Sequence, residues 1–267
     1  MNYWAQNKNN IFVAAHRGLR ATYPENTMEA FKAALEVGVD QLETDVRCSK
    51  DGELVLIHDA IVNRTTNGEG EVASMTLEQL KLLDAGGFKG EQFIGCKIPT
   101  LKEFMELVKD HPTITLDIEL KVYPNENNEQ IAYDVCDRTI AMIEEYGFGE
   151  RIVINTFDAK LHKYIHEKYQ GKYKQHVYYP IGRNKQCDHD LYKYAYCCCM
   201  FKEDENELMA SKAAYAAMED RGVQPWAGAS VKDEAGVQTA IDRGAYLITC
   251  DNADVVLEIL RKKGYHK

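Results

Sequence analysis

Ile11-Phe12-Val13-Ala14-Ala15-His16-Arg17-Gly18 is an apolar run of strand length that ends in an imidazole, a guanidinium and a glycine. The pattern recurs. The run at 41–47 carries Glu43 and Asp45, Asp117-Ile118-Glu119-Leu120-Lys121 closes another, and Leu54-Val55-Leu56-Ile57 runs into His58-Asp59. Apolar and β-branched runs near 11–16, 41–47, 114–120, 151–156, 175–180, 195–201, 223–228 and 245–250 predict eight strands. Helical stretches at 26–37, 100–109, 128–146, 158–169, 207–221, 232–243 and 252–263 fall between most of them. Eight strands alternating with helices in 267 residues have the size and rhythm of a (β/α)8 TIM barrel. A doubly wound sheet shares that rhythm. The polar residues tip the choice, because they fall at the C-terminal ends of several different strands, where barrel enzymes carry their chemistry.

The clearest helix is 26–37. Asn26 is its expected N-cap with Glu29 three residues on; Phe31, Ala34 and Leu35 share a face, and Gly38 ends it. One segment breaks the rhythm. After His58-Asp59 about 40 residues pass before the helix at Leu101, with turn residues at Asn67-Gly68 and Gly70 and a capping box at Thr76-Leu77-Glu78-Gln79. This predicts a small insertion after the second strand, at about 60–98, built on the active face of a single domain covering 1–267.

A formal charge of −10 argues against general nucleic-acid binding, whose footprint is a basic stripe. It leaves room for an anionic small molecule, since a metal and a few local cations can reverse the field inside a pocket. The opening MNYWAQNKNN is polar, and no stretch resembles a secretory signal or a membrane span, so no stable membrane insertion is expected. The expected location is the cytoplasm, or the periplasm or exterior if a signal has been removed. Eight cysteines include the consecutive Cys197, Cys198 and Cys199, whose alternating directions on a strand prevent all three from meeting one metal. They read as small buried residues of a reducing compartment. Asn63-Arg64-Thr65 spells a glycosylation sequon, which carries little weight without a secretory signal.

Glu43 and Asp45 are two apart on a strand and share a face, as do Glu119 and Lys121. Carboxylates crowded at a buried strand end repel one another, and a bound cation relieves this. Three oxygen ligands favour a hard ion, Mg²⁺ or Ca²⁺ with Mn²⁺ as a third candidate, over zinc. With one divalent ion the set retains a net negative charge, and Arg17 and Lys121 correct the sign for a phosphodiester. His16 and His58 are left as a base and an acid near neutral pH. Gly18 lets the backbone turn so that His16 and Arg17 need not point oppositely. Tyr178, Tyr179, Phe201 and Trp226 fall at strand ends and are candidates to line a pocket. His162 and His166 read as a solvated helix face, and His111, His176, His189 and His266 show no partner pattern.

In His16-Arg17-Gly18, Pro24-Glu25-Asn26-Thr27, Glu43-x-Asp45, His58-Asp59 and Glu119-Leu120-Lys121 the chain resembles the glycerophosphodiester phosphodiesterase family. Phe157 and Ile248-Thr249-Cys250-Asp251 are weaker echoes. The resemblance implies a barrel with an insertion after the second strand, a divalent cation on Glu43, Asp45 and Glu119, and His16 with His58 as the acid–base pair. Arg17 and Lys121 would hold phosphate or glycerol. The implied substrate is a small glycerophosphodiester, cleaved to glycerol 3-phosphate and an alcohol, with the neighbouring glycerol hydroxyl able to attack first and form a cyclic phosphate. Trp226-Ala227-Gly228-Ala229-Ser230 departs from the Trp-Thr-polar run common in that family, which bears on the pocket wall around Trp226, read as a substrate-binding residue. Alternatives are a lysophospholipase D or sphingomyelinase D type enzyme, which needs exposed aromatics at the rim, and a barrel that binds a phosphoester without turnover. A metal-dependent aldolase or isomerase would explain the metal and not the imidazoles. Oligomeric state is not legible.

Overall fold

The computed structural model describes residues 2–267. Eight parallel strands close into a barrel in the order β1 (Phe12–Ala15), β2 (Gln41–Cys48), β4 (Thr115–Leu120), β5 (Ile152–Asn155), β6 (Lys174–Tyr179), β7 (Cys197–Met200), β8 (Gln224–Ala227) and β9 (Leu247–Cys250). β1 pairs with both β2 and β9, and this closes the ring. β3 (Leu54–Leu56) lies antiparallel on β2 and extends the sheet outward. The expected barrel is borne out, and all eight predicted strands are present.

Alternation along each strand divides the molecule into two layers. Outward residues such as Leu42, Val46, Leu116, Ile118, Ile152, Ile154, Cys198 and Ile248 are buried under a helical shell. That shell comprises α1 (Met28–Val37), α3 (Leu101–Val108), α4 (Glu129–Glu145), α5 (Ala159–Lys168), α6 (Lys212–Asp220), α7 (Glu234–Arg243) and α8 (Ala253–Lys263), whose apolar faces supply Phe31, Phe104, Ile140, Ile165 and Leu257. Phe31 and Phe104 meet edge to face at 4.7 Å and lock α1 to α3. Inward residues turn to the barrel axis, where Ala14, Val153, Cys197, Trp226 and Leu247 form a separate apolar plug. Cys197 and Cys198 therefore sit in different cores, as alternation requires.

Two helix starts differ from the sequence expectation. The N-cap of α1 is Thr27, whose hydroxyl accepts from the Ala30 amide, while Asn26 stands outside the helix at φ 54°. The helix expected at 207–221 begins only at Lys212, because Ser211 caps it by accepting from the Ala214 amide.

The insertion follows β3. It holds two short 3₁₀ turns and α2 (Leu77–Leu82), opened by the Thr76–Gln79 capping box read from sequence. Val55, Ile57, Val62, Val72, Leu80, Ala85 and Ile98 give it a small apolar cluster of its own. No helix among the described residues is long and apolar enough to cross a membrane.

Candidate active site

The turn after β1 begins the site. Arg17 (φ 57°) and Gly18 (φ 78°) are both left-handed. A Cβ on Gly18 would lie 2.6 Å from the Ala30 carbonyl carbon, so only glycine lets this turn rest on α1. The turn aims the Arg17 amide inward, where it donates to Glu43 Oε2 at 2.8 Å. Gly18 thus acts with Arg17 itself in making the reversal expected from sequence.

Glu43 and Asp45 of β2 and Glu119 of β4 are brought together by the parallel register, in which Asp45 faces Glu119. One carboxylate oxygen from each lies within 4.8 Å of the others, and all three residues are buried. Burial, Asp45 and Glu119 push the Glu43 carboxyl well above its ordinary value, against the pull of Arg17. Burial also raises Glu119, against Lys121. At Asp45 burial is outweighed by Lys121 and Arg17, which hold it ionised. Glu43 Oε1 and Asp45 Oδ1 are buried and make no hydrogen bond, the latter with the Lys121 ammonium 3.2 Å away. Unmatched acceptors in a three-carboxylate cluster fit a hard divalent cation, which would satisfy the oxygens and relieve the repulsion.

Arg17 and Lys121 are buried among these carboxylates. Lys121 hydrogen-bonds to Glu119 and lies 3.2 Å from Asp45 Oδ1; the Arg17 side chain meets Asp45 at 3.1 Å and Glu25 at 2.8 Å. Three carboxylates against two cations leave one net negative charge, which a divalent ion converts to one net positive, the sign that a diester anion needs.

The two imidazoles stand above the cluster, each fixed by an aspartate. His16 Nδ1 lies 2.7 Å from Asp251 Oδ1, and His58 Nδ1 lies 2.6 Å from Asp59 Oδ1. These contacts assign the proton to Nδ1 and leave Nε2 of each ring free. His16 Nε2 is 4.0 Å from Glu43 Oε2. Burial lowers the pKa of both rings, against the aspartates that favour the charged form, and so keeps them neutral near pH 7.

Several partners carried no role in the sequence reading. Glu25 receives Arg17, Arg20 and Arg64. Burial would raise it, yet the Arg64 hydrogen bonds and the Arg17 and Arg20 charges bring it down to about 2. Arg64 also binds Asp59 at 2.6 Å, and its bonds to Glu25 tie the insertion to the segment after β1. Asn26, expected as a helix cap, donates to Asp45 Oδ2 at 2.7 Å and accepts from Thr44 Oγ1 at 2.9 Å. Its left-handed backbone, tolerated best by asparagine after glycine, turns the amide into the cluster. Asp251 and Asp59 had a signal as parts of quoted motifs; Arg64 had none.

A cavity of about 210 Å³ opens beside the cluster and is lined by His16, His58, Glu43, Glu119 and Lys121. Phe157, Tyr178 and Phe201 stack along one wall, the first two at 3.6 Å between centroids. Phe201 and Tyr178 line it as anticipated, whereas Tyr179 points away and donates to Glu203. Trp226 does not line it. The indole points inward one level too low, fully buried against Ala14, Val153, Cys197 and Leu247, and its Nε1 donates to Gln224. Gly228 and Ala229 occupy the wall instead. His176, read as unpartnered, lies 2.7 Å from Asp117. His162 is buried in contact with Thr156 and Gln175, and His166 stacks on Tyr194, so neither forms a solvated face.

Comparison with known proteins agrees with this geometry. The sequence model of the glycerophosphoryl diester phosphodiesterase family matches residues 16–252. A glycerophosphodiester phosphodiesterase of Caldanaerobacter subterraneus subsp. tengcongensis is 47% identical over 150 residues, covering 55% of this chain and 58% of that protein. One from Bacillus altitudinis is 39% identical over 146 residues, 54% and 57% of the two chains. The matches thus span less than two thirds of those relatives. Among solved structures, a putative glycerophosphoryl diester phosphodiesterase from Silicibacter pomeroyi has a TM-score of 0.80 at 22% identity, covering 96% of this chain and 95% of that one. An Oleispira antarctica phosphodiesterase solved with sn-glycerol-3-phosphate has a TM-score of 0.78 at 21% identity, covering 94% and 96%. At these identities the structural likeness speaks to the fold.

Proposed function

The chain belongs to the glycerophosphoryl diester phosphodiesterase family, and on that premise we propose that it hydrolyses glycerophosphodiesters to glycerol 3-phosphate and an alcohol at the Glu43–Asp45–Glu119 cluster. The carrying observation is the pairing of that buried cluster with two aspartate-fixed imidazoles. Bound to the three carboxylates, a divalent ion such as Mg²⁺ or Ca²⁺ would supply charge stabilisation for the phosphoryl oxygens.

Arg17 and Lys121 hold the phosphate from the cluster side. Both already face carboxylate oxygens, so a phosphate oxygen competes for donors that are in place. One imidazole takes the proton from the attacking oxygen at Nε2, whether that oxygen belongs to water or to the neighbouring glycerol hydroxyl, in which case water then opens the cyclic phosphate to glycerol 3-phosphate. The other delivers a proton from Nε2 to the departing alcohol oxygen as the phosphorus–oxygen bond breaks. Each aspartate holds its ring in the matching tautomer and stabilises the imidazolium when it forms. An approaching diester anion raises the pKa of both rings and so makes the protonated acid accessible.

A lipid-directed reading would call for aromatics exposed at the rim. Phe157, Tyr178 and Phe201 instead stack on one another against the cavity, which favours the small glycerol diester.

The test is phosphorus NMR of glycerophosphocholine with added Mg²⁺, Ca²⁺ or Mn²⁺. Glycerol 3-phosphate should accumulate, cease with EDTA, and be lost in His16→Ala and His58→Ala while calorimetric metal binding persists. Turnover retained in both variants would sink the mechanism, and turnover retained in EDTA would sink the metal.

A further inference from the structure

The insertion after β3 contributes no group to the proposed chemistry, yet it reaches the catalytic face through one side chain. Arg64 places three N–H groups there. Its Nε donates to Asp59 Oδ2 at 2.6 Å, and its Nη1 and Nη2 donate to the two oxygens of Glu25 at 2.9 Å each. Asp59 meets His58 through its other oxygen, at 2.6 Å. The contacts go on from Glu25. Arg20 Nη2 lies 3.3 Å from Glu25 Oε2, and Arg20 Nε lies 3.7 Å from Asp251 Oδ1, the oxygen that meets His16 Nδ1. The two proton carriers are thus the ends of one chain in which carboxylates and guanidiniums alternate.

The geometry selects arginine, because a planar fork bonds two carboxylates at once where an ammonium is a point charge. Glu25, brought down to about 2 against its burial, keeps the central joint ionised wherever the imidazoles work. Two further contacts brace the same segment. Lys89 Nζ donates to the Arg20 carbonyl at 2.8 Å, and Phe93 meets Tyr23 with 5.3 Å between ring centroids. Stability alone does not call for Arg64. Its side chain is 44% exposed, ion pairs of that exposure add little, and Glu25 would keep Arg17 and Arg20 without it. What the fork fixes is direction. Both oxygens of Asp59 are committed, one to the guanidinium and one to the ring, so Asp59 sets where His58 Nε2 points.

We propose that Arg64 is a positioning residue through which the insertion orients both imidazoles, at His58 by way of Asp59 and at His16 by way of Glu25, Arg20 and Asp251. The kinetic consequence rests on the phosphodiesterase reading; the coupling of the two rings is readable without turnover. Among the described residues the Arg64 side chain hydrogen-bonds Asp59 and Glu25 and no carboxylate of the cluster. Its loss therefore acts on proton transfer and leaves ground-state binding in place, which lowers kcat and spares KM.

The test is steady-state hydrolysis of glycerophosphocholine, at a saturating divalent ion, by Arg64→Ala, Arg20→Ala and the double variant. Arg64→Ala should lose about 10–100-fold in kcat, with KM and calorimetric ion affinity within about threefold of wild type. Arg64→Lys, which keeps the charge and loses the fork, should recover at most part of that. The double variant should lose less than the product of the two single losses, because either break already loosens both rings. In parallel, ring-nitrogen NMR of Arg64→Ala should show the His58 and His16 signals moved and that of His111 in place. An unchanged kcat, a loss carried by KM, full activity in Arg64→Lys or two losses that multiply overturns the proposal, as does a His16 signal indifferent to Arg64. Should Arg64→Ala fail to fold, Arg64→Lys carries the same kinetic and NMR readings. Hydrolysis with uncoupled rings removes this proposal alone. Coupled rings in a protein that hydrolyses no glycerophosphodiester remove the proposed reaction and leave the coupling standing.

Discussion

His162 offers a test of the fold that carries the cavity, with a sign that can be worked in advance. It lies on α5 with no solvent exposure, and its ring meets the Thr156 carbonyl at 2.9 Å from Nε2 and Gln175 Oε1 at 2.6 Å from Nδ1. Both are acceptors, and a neutral ring donates from one nitrogen only. The Gln175 amide nitrogen has no partner, so turning that amide over lets it donate to Nδ1 while Nε2–H keeps Thr156. Burial then holds the imidazole neutral, lowering its pKa from 6.5 to about 4 despite the hydrogen bonds to Gln175 and Thr156 that favour the charged form. The unfolded chain takes up a proton near pH 6.5 and the native chain near pH 4, so the unfolded state binds more protons throughout that window. Stability must fall as pH drops from about 6.5 to about 4, by about 3 kcal/mol in all. Urea unfolding of wild type and His162→Gln, in steps from about pH 7.5 to about 4.5, isolates this residue from the carboxylates common to both chains. The stability advantage of wild type should narrow by about 2–3 kcal/mol on acidification. If His162 instead donates from both nitrogens as a cation, the advantage widens, and a widening or constant gap refutes the neutral ring. The Thr156 carbonyl held by this ring lies between Asn155 and Phe157, so the variant also reports on how firmly those two cavity residues are set.

Gly18→Ala forces a Cβ to within 2.6 Å of the Ala30 backbone at φ 78°, and should cost about 2–5 kcal/mol from left-handed strain and overpacking together. A melting temperature matching wild type would contradict the close contact. Asn26→Ala releases Asp45 and should weaken divalent-ion affinity by roughly 10–100-fold in a calorimetric titration, whereas unchanged affinity would reduce Asn26 to a turn residue. Trp226→Phe should lower stability by about 1–3 kcal/mol and leave KM for glycerophosphocholine within about twofold. A several-fold rise in KM without loss of stability would return the indole to the pocket wall.

The barrel was legible because its strands are short apolar runs whose polar ends all lie on one face, and the eight runs map onto the eight strands that close it. The carboxylate cluster followed from period two within β2 and β4, which puts Glu43 with Asp45 and Glu119 with Lys121 on shared faces. The errors share a physical cause. Asn26 looked like a helix cap because asparagine favours that position, but the same side chain tolerates φ > 0, and no local pattern separates the two uses. Trp226 stands at a strand end, yet strand tilt sets how deep an inward residue lies, and depth is a property of the closed ring. His162 sits on a helix whose neighbours are polar, and only contact with Gln175 of β6 reveals its burial. The Asp117–His176 pair spans 59 residues, and Arg64 reaches Glu25 across 39, separations that a reading of adjacent motifs does not join.

The ring closes where β1 meets β9, and His16 at the end of β1 finds Asp251 just past β9, 235 residues later. During synthesis β1 leaves the ribosome well before β9. The carboxylate set needs only β2 and β4 and can be in place early; His16 and Asp251 cannot meet until β9 docks. A chain that lacks β9 therefore keeps the carboxylate residues and the His58–Asp59 pair but leaves His16 without its aspartate. On the proposed mechanism, which uses both rings, the reaction is tied by connectivity to the closed ring, and the seam between β1 and β9 is where a partial product falls short.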